Sequence, residues 1–174
     1  MSQRKSLTKG KKDEQILDIA TTVEPELVDG RGKFMYPDDS CYEGDYQLNV
    51  ADGMKRKHGT GIITWRRDPT ESYNGLWFDD KMNGFGIYTF ASGAKYEGNM
   101  KDNNFDGDGE YTMRDGSKYR GEWQQNKMHG SGEYTDPTGL VWKGKFFNGL
   151  YDSGETQMSS RPSESLKIKL ADLF

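Results

Sequence analysis

Tyr73-Asn74-Gly75-Leu76-Trp77 returns as Tyr96-Glu97-Gly98-Asn99-Met100, as Tyr119-Arg120-Gly121-Glu122-Trp123 and as Trp142-Lys143-Gly144-Lys145-Phe146, at steps of 23 residues. About eleven residues after each of the first three comes a glycine pair and then an aromatic: Gly84-Phe85-Gly86-Ile87-Tyr88, Gly107-Asp108-Gly109-Glu110-Tyr111 and Gly130-Ser131-Gly132-Glu133-Tyr134. A period of this size describes a stacked array in which each unit buries its apolar face against the next.

The units read as β-hairpins. Side chains alternate between the two faces of a strand, so Tyr73, Gly75 and Trp77 share a face, as do Gly84, Gly86 and Tyr88. In a helix each of these glycines would cost about 1 kcal/mol relative to alanine. A strand tolerates them when a neighbouring ring lies over the bare backbone, and glycine also permits sharp curvature. Turn residues stand where the hairpins need them, at Asp102-Asn103-Asn104 within a unit and Asp115-Gly116 between units. The expected fold is all-β: an elongated, twisted, single-layer antiparallel meander of about ten short strands. Its ring-and-glycine face should be concave. The other face should be mostly polar, carrying Glu97, Asn99, Arg120, Glu122, Lys143 and Lys145.

Working outward, a half unit spans residues 30–41, and whole units open at Tyr42, Tyr73, Tyr96 and Tyr119. A degraded fifth unit, 142–156, could cap the end of an array that runs over 25–158. Tyr42 lies 31 residues before Tyr73, eight more than the period, and the excess is expected in a loop over Gln47–Lys57. Residues 1–24 read as a basic, disordered tail with a marginal helix at Asp13–Ala20. Residues 159–174 form a second tail, in which Leu166, Ile168 and Leu170 alternate with Lys167 and Lys169.

Composition narrows the function. Of 174 residues, 32% are hydrophobic and 30% charged, which argues against a thick two-layer core. The net charge of −4 disfavours nucleic acid, whose phosphates call for a basic surface. Lone Cys41 leaves no internal disulfide, and no apolar run is long enough to cross a bilayer as a helix. Cytosol or cytoskeleton is the expected setting. With two histidines, neither near a second ligand, no metal site or cofactor is expected. No nucleophile stands with a base, and the glycine pairs lack the Gly-Lys-Ser/Thr ending of a phosphate loop. His129 occupies a repeat position held by Asp106 and Asn83 in earlier units, which marks it as a polar residue at a turn edge.

The pattern Tyr-x-Gly-x-Trp, His-Gly-x-Gly-x-Tyr, Asp-Gly resembles the MORN repeat (membrane occupation and recognition nexus). Tyr119–Trp123 with His129–Tyr134 carries the likeness most closely, and it extends over about Gly30 to Thr156. Departures are Met100 in place of Trp, and Asn83 and Asp106 in place of His. The resemblance implies a non-catalytic scaffold, often of cilia, flagella or other cytoskeletal structures, with lipid binding proposed for some members.

Three candidate surfaces follow. The first is the ring face, with Tyr73, Trp77, Tyr88, Tyr96, Tyr111, Tyr119, Trp123, Tyr134 and Trp142, which a single layer should leave partly open to a partner. The second is an apolar patch on the polar face, where Ile62, Leu76, Phe78, Phe85 and Ile87 fall on three consecutive strands. The third is Lys55-Arg56-Lys57 in the inserted loop, a possible contact for anionic lipid. A protein-binding adaptor of a ciliary or flagellar axoneme is the leading expectation, and a peripheral membrane module the alternative.

Overall fold

The computed structural model describes residues 26–65 and 71–152; both predicted tails, with the helix at Asp13–Ala20, lie outside them. The described residues form eleven antiparallel strands in one sheet, in chain order without a crossover. They are β1 (Leu27–Met35), β2 (Cys41–Asn49), β3 (Met54–Thr64), β4 (Ser72–Phe78), β5 (Lys81–Thr89), β6 (Lys95–Lys101), β7 (Asn104–Thr112), β8 (Lys118–Gln124), β9 (Lys127–Thr135), β10 (Val141–Phe147) and β11 (Leu150–Asp152). The expected meander is therefore present, and each strand packs on its sequence neighbours.

Register is set by glycine. Gly32, Gly44, Gly61, Gly75, Gly86, Gly98, Gly109, Gly121, Gly132 and Gly144 pair in succession, forming an unbroken column across β1 to β10. One tyrosine per unit lies over two glycines of this column. A Cβ on Gly132 would stand 2.5 Å from the Tyr119 hydroxyl and 2.6 Å from its ring, and one on Gly121 would meet the same hydroxyl at 2.7 Å. Tyr42, Tyr73 and Tyr96 hold the same position, and all four are completely buried.

The two glycines of each pair do different jobs. The second is roofed by the tyrosine. The first (Gly59, Gly84, Gly107 or Gly130) has a left-handed backbone, with φ from 60° to 101°. That conformation sits in a bulge, where the register slips between Gly75 and Trp77 and at the corresponding points of the other hairpins. The bulge leaves a carbonyl out of the ladder, and the tyrosine hydroxyl donates to it: Tyr42 to Asp45 O (2.6 Å), Tyr73 to Leu76 O (3.0 Å), Tyr96 to Asn99 O (2.7 Å) and Tyr119 to Glu122 O (3.0 Å). One residue type thus covers bare backbone and satisfies a buried acceptor.

Four of the hairpins, β4–β5, β6–β7, β8–β9 and β10–β11, close with two-residue type I′ turns, with positive φ at both positions: Asp79-Asp80, Asp102-Asn103, Gln125-Asn126 and Asn148-Gly149. The second turn residue also reaches the preceding hairpin. Asn103 N donates to Met82 O while its Oδ1 accepts from Met82 N, and Asn126 does the same with Phe105 (3.0 and 2.7 Å). Asp80 repeats the arrangement on Lys57; Gly149 keeps only the backbone bond, to Met128 O. Replacing Asn126 by glycine keeps the turn geometry and removes the side-chain acceptor. The expected cost is about 1 kcal/mol, read as a lowered midpoint in urea unfolding at unchanged m-value.

The eight extra residues of the first whole unit do not form the expected loop. Tyr42 pairs with Ile63, 21 residues on, whereas Tyr73 pairs with Tyr88, 15 on, so six of the eight lengthen the β2–β3 hairpin. The remaining two lie in the connection to β4. Backbone pairing explains the outcome, since Gln47, Leu48 and Asn49 complete a ladder with Arg56, Lys55 and Met54.

Candidate functional site

The ring face is largely closed by the chain itself. Tyr73, Tyr96 and Tyr119 are fully buried, and Trp77, Trp123, Tyr111 and Tyr134 retain at most 8% exposure. Rings interlock edge to face along the array: Trp77 stands 5.5 Å from Tyr42 and 5.2 Å from Tyr73, and Trp123 stands 5.5 Å from Tyr96 and 5.2 Å from Tyr119. Each indole N–H donates to a glycine carbonyl, Trp77 to Gly61 O (3.1 Å) and Trp123 to Gly109 O (3.2 Å). Burial raises the pKa of the four column tyrosines, that of Tyr73 to about 12. These phenols stay neutral donors at physiological pH.

What the ring face leaves accessible is smaller. Tyr88 and Trp142 are half-buried, as are Phe90 and Met82. Met82, Tyr88, Phe90, Met100 and Phe105 line a cavity of about 350 Å³, whose polar margin includes Glu71, Asn103 and Asn126. It opens beside Met100, the residue that stands where the other units place Trp77 and Trp123. Tyr88 donates to Glu71 Oε1 at 2.7 Å, and its own pKa is raised by burial and by that carboxylate. The departure at Met100 was visible in the sequence; that it coincides with a cavity was not.

The apolar patch is assembled as the strand alternation requires. Ile62 and Ile87 flank Asn74 from either side in the ladder. Leu76 lies over Gly84, whose added Cβ would meet it at 2.9 Å. Exposure is 44% for Ile62, 41% for Leu76, 58% for Phe78 and 52% for Phe85, with Ile87 half-buried. The His58 ring stands 5.0 Å from Phe78.

A recess of about 910 Å³ adjoins the patch at Phe85 and runs across the charged face. The backbone of Gly98, Gly109, Gly121 and Gly132 lines it, so the glycine column leaves a channel on the side opposite the rings. Glu97, Asp108, Glu110 and Glu133 stand along it with Arg120 and Lys143, giving it a net acidic border. Lys143 pairs with Glu133 at 2.8 Å. The sequence placed Glu97, Arg120 and Lys143 on the polar face and expected concavity on the ring side; the structure adds Asp108, Glu110 and Glu133 to that face and recesses it too.

Lys55, Arg56 and Lys57 do not form one basic surface. They lie on β3 rather than in a loop, and alternation sends Arg56 to one face and its neighbours to the other. Arg56 pairs with Asp52 (2.8 Å) and Asp79 (3.3 Å). The Lys57 side chain is only 14% exposed, with its ammonium 5.0 Å from the Tyr36 ring centre, 5.3 Å from that of Trp77 and 3.1 Å from Asp80. Lys55 lies over Tyr46 at 4.5 Å. The cage around Lys57 and the turn-to-strand ties of Asp80, Asn103 and Asn126 went unread in the sequence. The latter had a signal, for Asp80, Asn103, Asn126 and Gly149 also recur every 23 residues.

His129 lies on β9, opposite Glu122, with its ring 5.5 Å from Phe147 and its Nδ1 buried without a hydrogen-bond partner. Among the described residues no three His, Cys, Asp or Glu side chains are grouped so as to hold a metal ion.

Residues 73–95, 96–118 and 119–141 each match the sequence profile of the MORN repeat. The chain is also similar to Alsin of Rattus norvegicus, Homo sapiens and Mus musculus, 33% identical over 69 residues in each case. That match takes in 40% of this chain but 4% of the length of those relatives.

Proposed function

From an array whose residues 73–141 are three MORN repeats, units that bind proteins or membranes and are not enzymes, we propose that this chain is an adaptor gripping a partner protein on its charged face. The observation that carries the reading is the patch of Ile62, Leu76, Phe78 and Phe85, each 41–58% exposed, opening into a recess with an acidic border. Apolar side chains of the partner would seat on the patch and supply affinity, while basic or polar residues beside them would run along Glu97, Asp108, Glu110 and Glu133. The half-open ring of Tyr88, with the cavity beside Met100, is a second point of grip on the ring face, and the half-buried Trp142, five strands away on β10, is a third. The fully buried rings would act by fixing the shape of both faces.

Setting and kinship are part of the proposal. The stretch from Met82-Asn83-Gly84-Phe85-Gly86 through Gly132-Glu133-Tyr134-Thr135-Asp136, followed by Leu166-Lys167-Ile168-Lys169-Leu170, looks like MORN repeat-containing protein 2, and this likeness supports a ciliary or flagellar axoneme as the place of assembly. Phe78→Asp combined with Phe85→Asp should reduce recovery of the specific partner from ciliated cells at least tenfold, with the unfolding midpoint within a few degrees of wild type, since both side chains are exposed. Equal recovery by the double variant would remove the patch from the reading. Membrane binding, the alternative function, is less well supported by β3, where Arg56 and Lys57 are already paired.

A further inference from the structure

Within the described residues the sheet has two unequal ends. β11 is three residues long, whereas β1 runs for nine without a proline. Long, straight edges with unpaired N–H and C=O groups are templates for another strand. Glu26 O accepts from Val50 N, so by antiparallel alternation the even-numbered residues of β1 bond to β2. Leu27, Asp29, Arg31, Lys33 and Met35 therefore direct their backbone groups away from the sheet.

That edge is self-complementary. Laid antiparallel on a second copy about a two-fold axis at Arg31, it pairs all five outward residues with one another. Asp29 falls opposite Lys33 of the other copy, twice, and Leu27 opposite Met35. On the ring face, Val28 falls opposite Phe34 and Gly30 opposite Gly32, so the interior pattern of glycine against glycine continues through the axis. Gly30 is already roofed by the Tyr46 ring and Gly32 by Phe34. The two central arginines are tolerated because each has its own carboxylate, Arg31 Nη1 lying 3.0 Å from Asp45 Oδ1. Moving the axis to Gly32 sets Asp29 opposite Met35 and loses the charge match, and moving it to Gly30 sets Asp29 opposite Arg31, whose guanidinium Asp45 already holds, and leaves Met35 without a partner on β1.

We infer that β1 is a homodimer interface, joining two copies of this chain through antiparallel β1–β1 pairing centred on Arg31. The test is sedimentation equilibrium of the full chain from low to high micromolar concentration, with circular dichroism to confirm folding. Wild type should follow a monomer–dimer equilibrium. Arg31→Pro removes an N–H that the β1–β2 ladder does not use and should yield monomer. Asp29→Lys should weaken the dimer at least tenfold, and adding Lys33→Asp should restore it, since the doubly exchanged edge is again self-complementary. A wild-type monomer at high micromolar concentration would overturn the proposal, even if β1 amides were protected from exchange by Leu166–Leu170 of the same chain. So would a dimer indifferent to Arg31→Pro, or a double exchange that fails to recover what Asp29→Lys lost.

Discussion

Trp123→Ala should cost about 3–5 kcal/mol, the upper range for truncating a buried aromatic. The indole touches Tyr96 of β6, Phe105 and Tyr111 of β7 and Tyr119 of β8 itself, and it satisfies Gly109 O. Its removal opens a void and leaves a carbonyl without its donor. A single layer has no second sheet to collapse into the space, so relaxation should recover little. Urea unfolding checks the value, with near-ultraviolet circular dichroism reporting the loss of ring packing. A cost below 1 kcal/mol would mean that the indole is not an integral part of the interior.

The second large effect is expected at Gly132→Ala. The added methyl would sit 2.5 Å from the Tyr119 hydroxyl and 2.6 Å from its ring. Tyr119 is completely buried, 4.7 Å from Phe146 and 5.2 Å from Trp123, so it cannot swing aside without breaking those contacts and its bond to Glu122 O. Overpacking and a lost hydrogen bond together should amount to about 3 kcal/mol. Gly116→Ala is the control: φ there is 89° and nothing lies within 4 Å of the added methyl, so only backbone strain of about 1–2 kcal/mol applies. Thermal unfolding of the two variants should separate them clearly. Equal shifts would imply that both glycines are kept for backbone freedom alone.

The fold was legible because the repeat combines two independent signals, a ring every 23 residues and a two-residue alternation within each strand. Tyr73 over Gly86 is foreseeable from that pattern. The left-handed backbone of Gly84 is not, because a side-chain pattern carries no information on φ; the bulge is a property of the pairing. Gln47–Lys57 reads as a loop in sequence for a related reason, since a strand extension that departs from the period looks like any other irregular insertion. On the candidate site, alternation alone put Ile62, Leu76, Phe85 and Ile87 on one face. The enclosure of Lys57 depended on Tyr36 and Trp77, which are 21 and 20 residues distant in sequence, and neighbours brought together by curvature leave no local trace.

The tie from each turn to the strand 21 residues before it, exemplified by Asn103 on Met82 and Asn126 on Phe105, makes the addition of a unit a closed operation. A duplicated block of 23 residues brings its own turn, its own roof and its own anchor, and asks nothing new of the sequence on either side. The molecule can therefore grow or shorten in fixed increments of two strand widths, about 9–10 Å. Read this way, the array is a measuring stick: the number of copies sets how far apart the things attached to its two ends are held.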